Sequence, residues 1–114
     1  TCALPIYVFN LVKMLTERGK ASLGDLLVVF VSNANKTVPF WLQTASKEPD
    51  GSVVWDYHVV LVQPSASLVW DLDALLPCPS DLHQYLRQVL RPEILLPPSF
   101  ARCCRLCLND VGCV

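Results

Sequence analysis

Residues 52–63, Ser-Val-Val-Trp-Asp-Tyr-His-Val-Val-Leu-Val-Gln, constrain the fold more than any other segment. They alternate with the two-residue period of a β-strand. Val53, Trp55, Tyr57, Val59 and Leu61 fall on one face, and Val54, Asp56, His58, Val60 and Val62 on the other. The first face is large and apolar and is expected to meet the core. Pro64-Ser65-Ala66-Ser67 reads as a turn, and Leu68–Asp73 as the return strand. An even-numbered connection pairs Gln63 with Leu68, or Pro64 with Ser67, and both choices give one register. His58 then lies opposite Asp73 and diagonal to Asp71, on one face and within reach. The same register gathers Trp55, Tyr57, Leu68 and Trp70 on the opposite face. An odd connection would mix the charged and apolar sets.

The remaining segments place this hairpin in an α+β domain built from an antiparallel sheet with flanking helices. Residues 6–18 carry Tyr7, Leu11, Met14 and Leu15 at helical spacing, with Gly19 as the stop. Residues 25–31 read as a buried strand, 32–36 as a turn, and 37–43 as a second strand that Pro39 assigns to an edge or a bulge. A polar loop, 44–51, follows. Ser80 is the expected cap of a helix over 81–90. Pro92, Pro97 and Pro98 then lead to four cysteines within the last twelve residues.

The chain has 114 residues, enough for one domain with a core. Its hydrophobic fraction of 53% and charged fraction of 17% argue against disorder. The net charge is −1 and no basic stripe is present, so nucleic acid is not an expected partner. No apolar run approaches the roughly 20 residues of a membrane span, and membrane is not expected either. The first residues lack a basic segment followed by a signal-type apolar core. The expectation is a monomer in the cytoplasm, with the nucleus as a second location.

A histidine beside two carboxylates is the base-and-orienter part of a catalytic triad, because a carboxylate fixes the imidazole tautomer and supports its charged form. A sheet surface that merely carries His and Asp has the same pattern. A nucleophile decides between them, and two cysteines compete. Cys2 precedes the first helix, whose dipole favours a thiolate. Cys78 follows the return strand but also reads as a small buried hydrophobe between Pro77 and Pro79. Cys104 and Cys107 have CxxC spacing, yet Cys103 and Cys113 do not form the second pair that a zinc site usually has. No metal or cofactor is expected, and the end of the chain reads as an unstructured tail.

Trp55-Asp56-Tyr57-His58-Val59 resembles the WDYHV signature of the N-terminal glutamine amidohydrolase family. Val29–Asn33, Val38–Trp41, Val69–Asp73 and Leu76-Pro77 resemble the same family in the same order, its plant-type members above all. The resemblance is strong over roughly residues 24–90. It implies a papain-like or transglutaminase-like cysteine hydrolase core with a Cys-His-Asp triad. The triad histidine then falls on His58, the carboxylate on Asp71, and the nucleophile on Cys2, although Ala3-Leu4-Pro5 replaces the family's Glu-Glu-Asn. The implied reaction deamidates the first glutamine of a protein or peptide to glutamate through a thioester and releases ammonia. The product resembles the input to an N-degron route. Recognition of a free α-amine calls for a carboxylate, and Asp56 and Asp73 share the face of His58. Residues 1–102 read as the family domain, incomplete at its C-terminus, and 103–114 as a divergent Cys-rich tail. Two other readings stand beside this one: a catalytically silent truncated form or binding module, and a cysteine hydrolase or transferase with another acyl substrate.

Overall fold

The computed structural model describes residues 6–107. Helix α1, Ile6–Glu17, turns its Val8 and Leu15 inward. Gly19 ends it in a left-handed conformation while the Lys20 N–H bonds the Leu15 carbonyl at 2.9 Å. Strands β1 (Leu27–Ser32), β4 (Tyr57–Gln63), β5 (Leu68–Trp70), β6 (Ser80–Asp81) and β7 (Cys103–Cys107) form one five-stranded sheet in the order β6-β5-β4-β1-β7. Every pair in it is antiparallel. Strands β2 (Val38–Phe40) and β3 (Val53–Trp55) form a separate antiparallel pair. Helix α2, Leu82–Tyr85, runs on into a π-helical turn, Leu86–Leu90, which a left-handed Arg91 closes. The α+β class and antiparallel sheet expected from the pattern are both present.

The hairpin register is also as expected, with Gln63 opposite Leu68, Val62 opposite Val69 and Leu61 opposite Trp70. The long strand is not continuous, however. The chain bends at Asp56, so β3 pairs with β2 while β4 pairs with β1 and β5. Alternation is lost at that bend. Trp55 leaves the face assigned to it and packs in the cluster of Phe40, Val60, Val69 and Tyr85. Tyr57 stays on the other face against Phe30, with ring centres 6.1 Å apart, and is 52% exposed.

Both faces of the sheet are covered, which alternation alone could not reveal. One face packs Val28, Val59 and Leu61 against Val8 and Leu15 of α1. The other packs Val31, Val60 and Val69 against Phe40, Tyr85 and Val89. His58 belongs to this second face, so a residue expected on a charged surface is buried.

Other boundaries shift for local reasons. The return strand stops at Trp70, because the Asp71 carboxylate accepts the Asp73 N–H at 3.0 Å and turns the chain. Strand 37–43 shortens to β2, because the Trp41 N–H bonds the Val89 carbonyl at 2.9 Å and Leu42 turns left-handed. The cap of α2 is Asp81, which accepts the Gln84 N–H at 3.0 Å, whereas Ser80 is buried in β6. Cys103–Cys107, expected in an unstructured tail, pair with β1 as the edge strand β7. No described helix is long and apolar enough to cross a membrane.

Leu61, fully buried where α1 meets the sheet, and Leu95, 96% exposed, calibrate this core. Leu61→Ala is expected to lower unfolding stability by about 2–5 kcal/mol in urea denaturation. Leu95→Ala is expected to change it by less than about 0.5 kcal/mol.

Candidate active site

His58 sits near the start of β4 opposite Val31, and is 4% exposed. The Trp55 indole lies flat on its ring, 5.0 Å between centres and 11° from parallel. Phe40 meets it edge-on at 4.8 Å. The ring is thus enclosed by aromatic carbon on two sides, with one nitrogen directed at a carboxylate. Nε2 lies 3.0 Å from Asp71 Oδ1.

Asp71 is the convergence point. Its Oδ1 also accepts the Asp73 N–H at 3.0 Å, and its Oδ2 accepts the Tyr85 hydroxyl at 2.5 Å. Burial opposes ionisation of this carboxyl. The bond and charge of His58, the Tyr85 hydroxyl and the Asp73 N–H together outweigh it and hold the group below the usual carboxylate range. An ionised Asp71 keeps the proton on Nε2 of His58, so Nδ1 is the nitrogen left to exchange protons with a reacting group. Burial, and then the charge of Asp71, push the Tyr85 phenol well up, which keeps it a donor.

An open cleft of about 560 Å³ adjoins the imidazole. Tyr7, Val53, Val54, Tyr57 and the Asp56 and Asp73 carboxyl residues are among its lining. Tyr7 comes from α1 and donates to the Val59 carbonyl at 3.3 Å. Burial, followed by the charges of Asp73 and Asp71, pushes its phenol up to about 12. Asp73 is pinned through its carbonyl, which accepts the N–H and hydroxyl of Thr44 at 2.8 and 2.7 Å.

The structure therefore brings His58, Asp71 and Asp73 together, each with a ligand-type atom within 4.8 Å of the others. Those atoms could surround a cation, but His58 Nε2 and Asp71 Oδ1 are already bonded to each other, and an ion would have to displace that bond. Asp56 lies at the bend, exposed, on the same cleft. Cys2 lies outside the described residues. The rival, Cys78, is exposed. Although the residue is largely exposed, partial desolvation of its sulfur raises its thiol; a backbone bond at Asp71 lowers it by less, and the Asp71 charge raises it further. Cys78 is therefore a protonated thiol near neutral pH, the opposite of an activated one.

Sequence reading missed Tyr85, Phe40, Gln43 and Tyr7. Tyr85 and Tyr7 sat in helical apolar stripes, where an aromatic reads as core. A hydroxyl on such a stripe is the one hint that a buried acceptor waits for it.

A family model described as N-terminal glutamine amidase matches residues 6–111. A protein of Arabidopsis thaliana named protein N-terminal glutamine amidohydrolase is 45% identical over 106 residues, which are 87% of this chain and 48% of that protein. Proteins of the same name from Drosophila grimshawi and Drosophila melanogaster are 36% and 34% identical over 113 residues, 96% of this chain and 55% of theirs. The chain spans about half the length of the curated relatives it matches.

The depressed Asp71 carboxyl fixes a sign for acid stability. A group that ionises more readily folded than unfolded stabilises the fold fully above its unfolded value, about 3.9, and that contribution is lost as pH falls through the lower folded value. Denaturation of the wild type and of Asp71→Asn between pH 7 and pH 2 is expected to show the wild type's advantage constant above about pH 5 and shrinking below about pH 4.

Proposed function

Because the chain belongs to the N-terminal glutamine amidase family, we propose that it hydrolyses the side-chain amide of a first-position glutamine in proteins or peptides. The observation that carries this reading is the buried 3.0 Å pair of His58 and Asp71 beside an open cleft. The nucleophile in this reading is Cys2. The first helix follows it in sequence, and that helix's Tyr7 lines the same cleft.

His58 takes the Cys2 proton on Nδ1, and Asp71 supports the resulting imidazolium. The thiolate attacks the Cδ carbon of the glutamine side chain, forming a C–S bond. The tetrahedral intermediate collapses with cleavage of the C–N bond, and His58 returns its proton to the departing nitrogen, which leaves as ammonia. Water then attacks the thioester, giving its proton to His58. The C–S bond breaks, the sulfur recovers the proton, and glutamate remains. The substrate's free α-amine is read by the carboxylates on the cleft, Asp73 beside the imidazole and Asp56 at the bend. This reading implies a papain-like or transglutaminase-like disposition of thiol, imidazole and acid, a monomer in the cytoplasm or nucleus, and a product that feeds an N-degron route.

Ammonia release from a peptide beginning with Gln tests this. The wild-type chain is expected to release it, and a peptide with only internal Gln to give none. Cys2→Ala and His58→Ala are expected to abolish release, and Asp71→Asn to reduce kcat by roughly 10³–10⁴-fold through loss of the correct tautomer. Asp73→Asn or Asp56→Asn is expected to raise KM about tenfold, the size of one charge-assisted contact. A folded wild-type chain that releases no ammonia would sink the proposal. Unchanged KM in both Asn variants would sink the amine assignment alone.

A further inference from the structure

Gln43 is an uncharged polar side chain in the floor of the core, 1% exposed, and the reaction above makes no use of it. Burying an amide is costly unless both ends are bonded, and here both are. Nε2 donates to the Trp41 carbonyl at 3.0 Å, and Oε1 accepts the Trp55 indole N–H at 3.1 Å. We propose that Gln43 is a positioning residue for His58 and acts through Trp55. This rests on the reading of His58 as the proton-transfer group.

The backbone around Gln43 is held from several sides. Leu42 is left-handed at φ 52° and Gly51 at φ 75°. A Cβ at Gly51 would meet the Leu42 N and Cα at 3.1 Å, so the two turns lie against each other with room for glycine only. The Gln43 N–H bonds the Gly51 carbonyl at 2.8 Å, and the Leu42 carbonyl accepts the Leu75 N–H at 2.8 Å. Gln43 also bridges Ala74 across an antiparallel contact. The loop carrying Gln43 is thereby tied to residues 73–75, next to Asp71.

That anchorage passes to the imidazole in one further step. The bond to Oε1 fixes how far the Trp55 indole turns about its own side-chain axis. The indole plane lies on the His58 ring at 5.0 Å. Asp71 holds one nitrogen of that ring, and a single hydrogen bond at one atom leaves the ring free to pivot. The flat contact with Trp55, aided by the edge of Phe40, removes the pivot and fixes where Nδ1 points. A Met or Leu at position 43 would fill the same volume without the cost of a buried amide. The amide is explained by what it holds.

The test is Gln43→Met, which keeps length and burial and removes both hydrogen bonds. Its first readout needs no activity. The chain has two histidines, and the exposed His83 serves as an internal reference for His58. In the wild type, the stacked indole is expected to move the His58 ring-proton NMR signals upfield of those of His83. In Gln43→Met this displacement shrinks. The second readout is kcat on a Gln-peptide, expected to fall about tenfold with KM within twofold, as for a misdirected proton-transfer group. In a Trp55→Phe background, which has no indole to hold, adding Gln43→Met is expected to lower kcat less than about twofold further. A purely structural Gln43 would instead leave the His58 shifts in place, or give multiplicative losses in the double variant, and either result overturns the proposal. If Gln43→Met does not fold, Gln43→Leu removes the same two hydrogen bonds, and upfield shifts that persist there overturn the proposal in the same way. A rapidly exchanging Trp55 indole proton in the wild type overturns the proposal by itself. A wild type without turnover would count against the amidase reading, while the NMR comparison still decides the role of Gln43.

Discussion

The structure turns on one carboxylate. Asp71 gathers donors from three places in the chain: the His58 ring in β4, the Tyr85 hydroxyl at the end of α2, and the N–H of Asp73 two residues on. An isolated buried carboxylate would be neutral, because desolvation penalises its charge. Three donors reverse that balance. The same bonds do structural work. They end β5, set the turn that carries Asp73, and fasten α2 and its π-helical continuation to the sheet.

Two layers are needed to keep that carboxylate dry. Helix α1 covers one face of the sheet, and the β2–β3 pair with α2 covers the other. The bend at Asp56 makes the second layer possible. It lets the segment before the bend join a different sheet from the segment after it. Trp55 and His58 are three residues apart and would point to opposite faces of a regular strand, yet the bend stacks their rings. The apolar wall around His58 and the open cleft beside it are products of the same break.

Hydrogen bonds and ring contacts on this second layer form a chain rather than a scatter. Gly51 sets the turn that places Gln43, Gln43 holds Trp55, Trp55 lies on His58, and His58 meets Asp71. Among the described residues, no buried side-chain nitrogen or oxygen lacks a partner. A fully bonded network of this kind resists small rotations, which is what directed proton transfer needs.

Local pattern determined much of this. The period of residues 57–63, the turn at 64–67 and the spacing of the first helix fix the hairpin register and the helix, because neighbours along the chain enforce them. Extended past Trp70, that register points to His58 near Asp71 and Asp73, and the turn at Asp71 that ends the strand makes the contact. The WDYHV segment carried the family. The unbroken apolar run Val59–Val62 is the pattern of a strand buried on both faces, but Asp56 and His58 make the second face read as solvated, and which segments cover it is not written in the pattern. The burial of His58, the flip of Trp55, the hydroxyl of Tyr85 on Asp71 and the pairing of Cys103–Cys107 with β1 all follow from contacts between distant segments. Tertiary structure decided these, because a buried polar group finds its partner through space and leaves no period along the chain.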